Sequence, residues 1–401
     1  MFGPLELLAV LGLAATLAGP PADPSVEPGA APAPPAEAAS AEGEQGSQGQ
    51  STTRSQTGPI SGYMELHFNK PTDGTPGVLD FHRFVLLFTH RFSDRLRFVG
   101  ELELEHAVVE GLEAGGELEL EQAYLDYLAT PALNFRAGML LVPVGIINER
   151  HEPPVFHGVE RPFVDTVIVP TTWFDVGAGV HGSLPRGFRY RAYVMAPLDA
   201  TAFSAEEGLR GSAQNGVEAQ VRNVAWTGRL EYVGLRGLQA GASFWRGETG
   251  FNLTRLESRV GLYELDARFS RGRFETRGQF AHVFIKGAGD LNDAMTRLTG
   301  VNPNVAEQLR GFYLEAAYRV LPRKVAHDAA LFVRYENFDT QFRMPAGGVP
   351  LPQFDRDAWV VGGTYWLDPD VAIKVDYSHV RNRSLAVPAP RSVNIGLGWW
   401  F

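Results

Sequence analysis

From Ile60 to the C-terminus, hydrophobic and polar residues alternate with a period of two. Ile60, Gly62, Met64, Leu66 and Phe68 are interleaved with Ser61, Tyr63, Glu65, His67 and Asn69. Leu96, Phe98, Gly100, Leu102 and Leu104 are interleaved with Arg97, Val99, Glu101, Glu103 and Glu105. The same rhythm runs through Phe188–Met195 and Val371–Ser378. A β-strand points successive side chains to opposite faces, so each segment has one apolar and one polar face. Sixteen such segments can be placed, at about 60–69, 79–92, 95–107, 117–128, 133–142, 173–184, 188–196, 224–233, 238–247, 259–269, 274–285, 310–321, 329–338, 357–366, 371–379 and 392–401.

The connections alternate in length. Ser93-Asp94, Pro185-Arg186-Gly187, Leu235-Arg236-Gly237, Ser270-Arg271-Gly272 and Leu367-Asp368-Pro369-Asp370 are short turns, whereas 143–172, 197–223, 286–309, 339–356 and 380–391 are long. Short turns on one side and long loops on the other predict an all-β fold, a transmembrane antiparallel β-barrel of about 16 strands. A soluble sandwich would not need this asymmetry. The chain ends Ser392-Val393-Asn394-Ile395-Gly396-Leu397-Gly398-Trp399-Trp400-Phe401. An unpaired apolar edge of this kind aggregates in water, and closure against the first strand removes it. The ending is similar to the C-terminal signal by which the barrel-assembly machinery recognises outer-membrane proteins, so that machinery is an expected partner through Phe401. Trp226, Tyr232, Phe269, Phe274, Tyr318, Tyr377, Trp399 and Phe401 lie on the apolar registers, as the aromatic girdles of a membrane barrel do.

If the apolar registers face lipid, the opposite registers line a lumen. They carry Arg97, Glu101, Glu103, Glu105, Asp126, Arg136, Arg189, Arg191, Arg229, Glu231, Arg268, Arg319, Arg334, Lys374 and Asp376, together with Glu264, Asp266, Glu315 and Glu336. Charges of both signs at this density suit a wet interior, which sixteen strands are wide enough to leave. Individually, many can also pair across strands and brace the wall. The connection 143–172 is the candidate constriction loop, with Glu149, Arg150, His151, Glu152, Glu160, Arg161 and Asp165 as its charged residues; the alternative is a loop packed over the outer mouth. Charges at a narrowing set ion selectivity through the local potential.

The first sixty residues have a different character. Leu7–Ala18 is a short apolar run ending in small residues, and 1–22 is read as a signal peptide whose n-region lacks Lys and Arg. Residues 23–59 are rich in Pro, Ala and Glu and cannot bury enough surface to offset their ordering entropy, so they are read as a disordered tail ahead of a 60–401 barrel. Composition then changes meaning. The chain of 401 residues has a formal charge of −10, and half of it comes from Glu6, Asp23, Glu27, Glu37, Glu42 and Glu44 set against Arg54. A nearly balanced barrel remains, without the basic surface that nucleic acid needs. With no Cys, thiol catalysis and thiolate metal sites are excluded.

Three apparent motifs fail on their context. Gly177-Ala178-Gly179-Val180-His181-Gly182 matches a dinucleotide fingerprint but leads into Pro185 and a turn, so its glycines are expected within a strand that something bulky approaches. His151-Glu152-Pro153-Pro154-Val155 lacks the second His of a zinc-protease helix, and its prolines forbid the helix. Asp290-Leu291-Asn292-Asp293 lacks the glycine of a calcium loop. No cofactor, metal site or catalytic constellation is assigned.

Several stretches together resemble the phosphate-selective porin O and P family. They are Glu121-Gln122-Ala123-Tyr124-Leu125-Asp126-Tyr127, Arg136-Ala137-Gly138, Val142-Pro143-Val144-Gly145, Glu160-Arg161-Pro162 and the Gly177–Gly182 strand. Gly228–Tyr232, Val333–Glu336 and Lys374–Tyr377 look similar too, so the resemblance spans about residues 60–401. It implies a sixteen-stranded homotrimeric porin of the bacterial outer membrane, set in lipid and lipopolysaccharide, for diffusion of ions and small hydrophilic solutes. Phosphate-selective members line the pore with Arg and a Lys cluster, whereas the polar registers here mix acids with bases. The expectation is therefore a general or weakly selective porin and not an enzyme. The alternatives are a barrel enzyme of the lipase or protease type and a structural barrel with a plugged lumen.

Overall fold

The computed structural model describes residues 60–106, 116–250, 256–321 and 327–401. The proposed signal peptide and tail, 1–59, lie outside the described residues. The described chain forms sixteen antiparallel strands: β1 Ile60–Pro71, β2 Val78–Arg91, β3 Leu96–Glu105, β4 Leu118–Thr130, β5 Leu133–Leu141, β6 Phe174–Leu184, β7 Phe188–Met195 and β8 Ala225–Tyr232, followed by β9 Leu238–Glu248, β10 Arg259–Arg271, β11 Phe274–Lys286, β12 Gln308–Arg319, β13 Asp328–Arg343, β14 Asp355–Asp368, β15 Val371–Asn382 and β16 Arg391–Trp400. Each expected segment is a strand, and the ends agree within a few residues. The largest difference is β13, which runs to Arg343 because its last residues still pair with Gln308 at the start of β12.

Every strand pairs with its neighbours in sequence, and β1 pairs with β16 to close the barrel. At the seam Tyr63 opposes Trp400 and Pro71 opposes Ser392. The last residue completes it, with Phe401 N donating to Gly62 O at 2.9 Å and Gly62 N donating to Phe401 O at 3.0 Å. No described strand edge is left open. In lipid this is a requirement, because an unmatched peptide group has no water to turn to.

The outer registers carry Leu230, Leu265, Leu314, Leu331, Val361, Val375 and Ile395, all exposed. Such a continuous apolar belt is not tolerated on a water-soluble surface and is the outside of a membrane-spanning barrel. Tyr232, Phe188, Phe269, Phe274, Tyr318 and Phe401 gather at the short-turn ends of their strands, while Trp226, Phe244, Phe284 and Trp359 stand toward the long-loop ends.

The interior differs from a uniformly wet lumen. Near the long-loop ends of β10–β15 the inner register turns apolar, with Val260, Leu262, Val283, Ile285, Leu309, Phe338, Ala358 and Val380 all buried. Against them pack Val144, Ile146, Ile147, Val164 and Ile168 from the 143–172 connection and Leu198, Phe203 and Leu209 from the next long one. A hydrophobic core thus fills part of the barrel. The connection 287–307 also contains a helix, α1 (Ala288–Thr299), where a plain loop was expected. It is stopped by Gly300 at φ 78°, the left-handed conformation that glycine adopts without a Cβ clash. Leu291 and Asn292 face inward, and Asn292 exchanges hydrogen bonds with the Val305 backbone at 2.8 and 2.9 Å.

Because the seam rests on the last few residues, removing Trp399, Trp400 and Phe401 is expected to abolish barrel formation. The truncated protein should show no heat-modifiable shift on unboiled gels after refolding in detergent, whereas Leu385→Ala, in an exposed loop, should fold like the wild type.

Candidate functional site

The connection 143–172 folds into the barrel, and its neck is closed by one side chain. Asn148 Nδ2 donates to the carbonyls of Val142 and Trp173, each at 2.8 Å, and Asn148 Oδ1 accepts from Trp173 N at 2.7 Å. From there the loop crosses the wall, and its backbone donors find wall side chains. Ile146 N donates to Gln279 Oε1 at 2.8 Å, Val159 N to Asp376 Oδ2 at 2.6 Å and Val164 N to Glu336 Oε2 at 3.1 Å. Buried peptide groups that the irregular backbone cannot pair internally are satisfied in this way.

Space for the loop comes from inward-facing glycines. A Cβ on Gly396 would strike Val159, one on Gly398 would strike Pro153, and one on Gly311 would strike Ile168 and Val164. In β6, a Cβ on Gly179 would fall on the Ala192 carbonyl and the Tyr193 ring. These glycines do lie within a strand, as their context suggested.

Ion pairs tie loop and wall together. Glu315 is the densest node, receiving Arg277 Nε at 2.7 Å, His157 Nδ1 at 2.8 Å and Arg334 NH1 at 3.3 Å. Arg334 also reaches Glu336 at 2.8 Å. His67 sits between Glu65 at 2.7 Å and Glu160 of the loop at 3.1 Å. Lys374 Nζ lies 3.8 Å over the Phe156 ring.

The sequence-predicted residues divide into two groups. Glu101, Glu103, Arg229, Glu231, Arg334, Lys374 and Asp376 point inward but are buried. Glu103 is held by Arg83 at 3.4 Å, and Arg229 by Asp266 at 2.6 Å with Glu264 and Glu231 farther out. Water reaches a second group along β3–β7, gathered round Asp126, which is itself buried. Asp126 is covered by Arg97 at 2.7 Å, His181 at 2.7 Å and Arg136 at 3.2 Å, and Arg191 contacts Glu149 of the loop at 3.0 Å. The side chains of Arg97, Arg136, His181, Arg191 and Glu149 retain between 17 and 35% exposure. Arg189 is exposed, while Arg268, Arg319, Glu105 and Arg150 are partly so. Arg319 is shared between Glu275 and Asp328.

Of the remaining loop charges, Arg161 donates to Thr172 at 3.1 Å, and Glu152 stands half-buried before the turn Pro153–Val155. His151 lies against Glu121 at 3.2 Å. Burial alone would depress the His151 imidazole, but Glu121 and Glu101 outweigh it and hold the group up at about 9. Burial would likewise raise Glu160, but its hydrogen bond and charge contact with His67 bring it down to about 2. Asp165 is the opposite case: burial raises it to about 7, with the Gln279 hydrogen bond opposing and Glu336 adding to the rise.

Asp376, Glu336, Glu315 and Lys374, which seat the loop, are among the inner-register charges expected from the sequence; the uncharged residues that do so are not. Asn148 and Gln279 are neutral and carry no motif. Gly311, Gly396 and Gly398 were visible as inner-register residues without side chains, which is the one signal that another segment packs there.

The closed sixteen-strand wall with an inward loop is the architecture of outer-membrane porins. OmpF of Salmonella typhi covers 85% of this chain and 97% of itself at a TM-score of 0.55 and 13% identity. The anion-selective porin of Comamonas acidovorans covers 85% and 98% at 0.54 and 12%. The outer-membrane channel DcaP of Acinetobacter baumannii covers 85% and 96% at 0.54 and 12%. At such identities the likeness is one of fold. No family model matches the chain. Over 332 residues it is 35% identical to an uncharacterized protein of Aquifex aeolicus (strain VF5), which covers 79% of this chain and 74% of that protein. The chain belongs to the family of that protein.

Glu315→Gln should leave Arg277, Arg334 and His157 buried without their common counter-ion. Losing one partner of a buried pair costs about 3–5 kcal/mol, so urea unfolding in detergent should show a loss of that order. A change below about 1 kcal/mol would contradict the wall–loop pairing.

A second expectation concerns pH. A free Asp titrates near 4, and in the docked loop Asp165 titrates at about 7. The docked state therefore binds the proton more tightly. Its advantage is complete below about pH 4 and is lost as pH rises through about 7. Hydrogen-exchange protection of 143–172, corrected for intrinsic rates, should fall across that window, and Asp165→Asn should remove the fall. Equal slopes in the two proteins would refute this role.

Proposed function

We propose that the protein is an outer-membrane porin, a passive diffusion channel for ions and small hydrophilic solutes with a preference for anions. One observation carries this reading: the water-reached inner wall bears Arg97, Arg136, Arg189 and Arg191 against the partly exposed acids Glu105 and Glu149, whereas Glu101 and Glu103 are buried. Charge of both signs on the inner register therefore does not reach the solute equally. Guanidinium groups beside a narrow aqueous path raise the local concentration of anions. Loop 143–172 bounds that path through Glu149 and Arg150, while His151, Glu160 and Asp165 hold it to the wall. The reading bears on the sign of the permeating ion, and phosphate as a particular solute is not part of it.

The other features belong to the same proposal. Residues 1–22 direct export, 23–59 form a tail, and the barrel assembles as a homotrimer among lipid and lipopolysaccharide after recognition of the Phe401 strand. The paired, buried interior charges favour a second reading, a structural barrel closed to solutes.

Planar bilayers separate the two readings. Purified protein should insert in discrete conducting steps, and a KCl gradient should give a reversal potential of the sign set by chloride. Replacing Arg189 and Arg191 together by Glu should abolish or invert that preference with conductance retained. Folded protein that gives no steps would defeat the channel reading and leave the closed barrel. A cation preference in the wild type would defeat only the assignment of sign.

A further inference from the structure

The acids that the loop covers form a site of their own. Glu101 on β3, Glu121 on β4 and His151 on the loop meet inside the barrel, each less than 4% exposed. Glu121 faces inward because the ladder slips at this point: Glu101 pairs with Gln122 and Leu102 with Leu120, leaving Glu121 as an extra residue. His151 Nε2 lies 3.2 Å from Glu121 Oε2 and 3.7 Å from Glu101 Oε1. One ligand atom from each of the three residues lies within 4.8 Å of the others. Bonds of about 2.0–2.2 Å to a tetrahedral ion place its ligands about 3.3–3.6 Å apart.

The other atoms of these side chains are already engaged in ways that orient them. His151 Nδ1 is 3.1 Å from the Asn148 carbonyl, so it carries a hydrogen, and a cation at the site takes the place of the proton on Nε2. Gln122 donates to Glu101 Oε2, and the Tyr63 hydroxyl donates to Glu101 Oε1 at 3.3 Å. A metal-binding imidazole characteristically donates its second N–H to a backbone carbonyl, and metal-binding carboxylates are themselves hydrogen-bonded. By contrast, His151 Nε2 and Glu121 Oε2 are both buried and make no well-formed hydrogen bond. An unsatisfied buried pair of this kind is accounted for by an ion seated beside it and bonded to both atoms.

We propose that Glu101, Glu121 and His151 bind a divalent first-row transition cation of the Zn²⁺ or Mn²⁺ class, which fastens loop 143–172 to the β3–β4 wall. Two carboxylates and one imidazole suit such ions. Ca²⁺ needs six to eight oxygen ligands and is not matched by this set. The ion also offsets two neighbouring buried carboxylates, beside which stands a third, Glu103. Because the docked loop closes over the site, the ion is taken up as the loop docks. A second group, Asp80, His82 and His106 near the long-loop end of β2, is less favoured. There Arg83 NH2 approaches His82 Nε2 at 2.8 Å, and a bound cation would have to displace it.

The full chain is refolded in detergent with ZnCl₂ or MnCl₂, passed over a metal-free column and analysed for bound metal. About one ion per chain is expected. Glu121→Gln and His151→Asn should each bind at least about tenfold more weakly, and Asp80→Asn should bind like the wild type. Should either variant fail to fold, the wild type decides: stripping the ion with EDTA should lower its melting temperature, and adding Zn²⁺ should restore it. Metal at the level of the buffer control overturns the proposal, as does retention undiminished in a folded Glu121→Gln. Loss of metal in Asp80→Asn but not in the other two would move the site to the second group and overturn it equally.

Discussion

The structure depends on one constraint, that every backbone N–H and C=O inside a bilayer must find its partner within the protein. A sheet meets it only by closing on itself. Closure falls to β1 and β16, and its last bonds run between Gly62 and Phe401. From this follow the alternating pattern, the apolar belt facing lipid and the aromatic residues toward the rims. The terminal Trp-Trp-Phe is then the final stretch of a seam that has no free edge.

Closing sixteen strands creates a second problem, since the enclosed space is wider than side chains can fill. The chain fills part of it with loop 143–172, whose apolar residues join those of β10–β15 in a core inside the barrel. Covering a charged wall removes its groups from water, which is tolerable only if each is matched. Glu315 with Arg277, Arg334 and His157, and Glu160 with His67, are such matches. The same covering sorts the charges. Glu65, Glu101, Glu103 and Glu121 are buried, and Arg97, Arg136, Arg189 and Arg191 remain in contact with water. Selectivity thus depends on which part of a mixed inner wall is left open.

Some of this was legible beforehand and some was not. Periodicity placed all sixteen strands because alternation is a local property of neighbouring side chains. Parity with Glu264, Asp266 and Arg268 puts Val260 and Leu262 on the inner face, but alternation did not show that this end of the lumen is filled, because what packs there is the distant loop 143–172. Helix α1 lies in a connection that strand periodicity marks only as a long loop, although Leu291, Met295 and the stop at Gly300 are spaced as a short helix requires. The sequence neighbours of His151 supply no second ligand. Its partners, Glu101 and Glu121, come from other strands, and Glu121 turns inward only through a one-residue slip.

The sequence by itself determined the sheet: the number of strands, their order, the face each shows to lipid and the need for the two ends to meet. All of these follow from short-range patterning and from the requirement that edges be paired. Only the tertiary structure decided which inner charges meet water and which meet the loop. That outcome rests on contacts such as Val159 with Asp376 and His157 with Glu315, between residues more than 150 positions apart. Residues this far apart leave no local pattern, and their pairing exists only once closure has brought the walls around the loop.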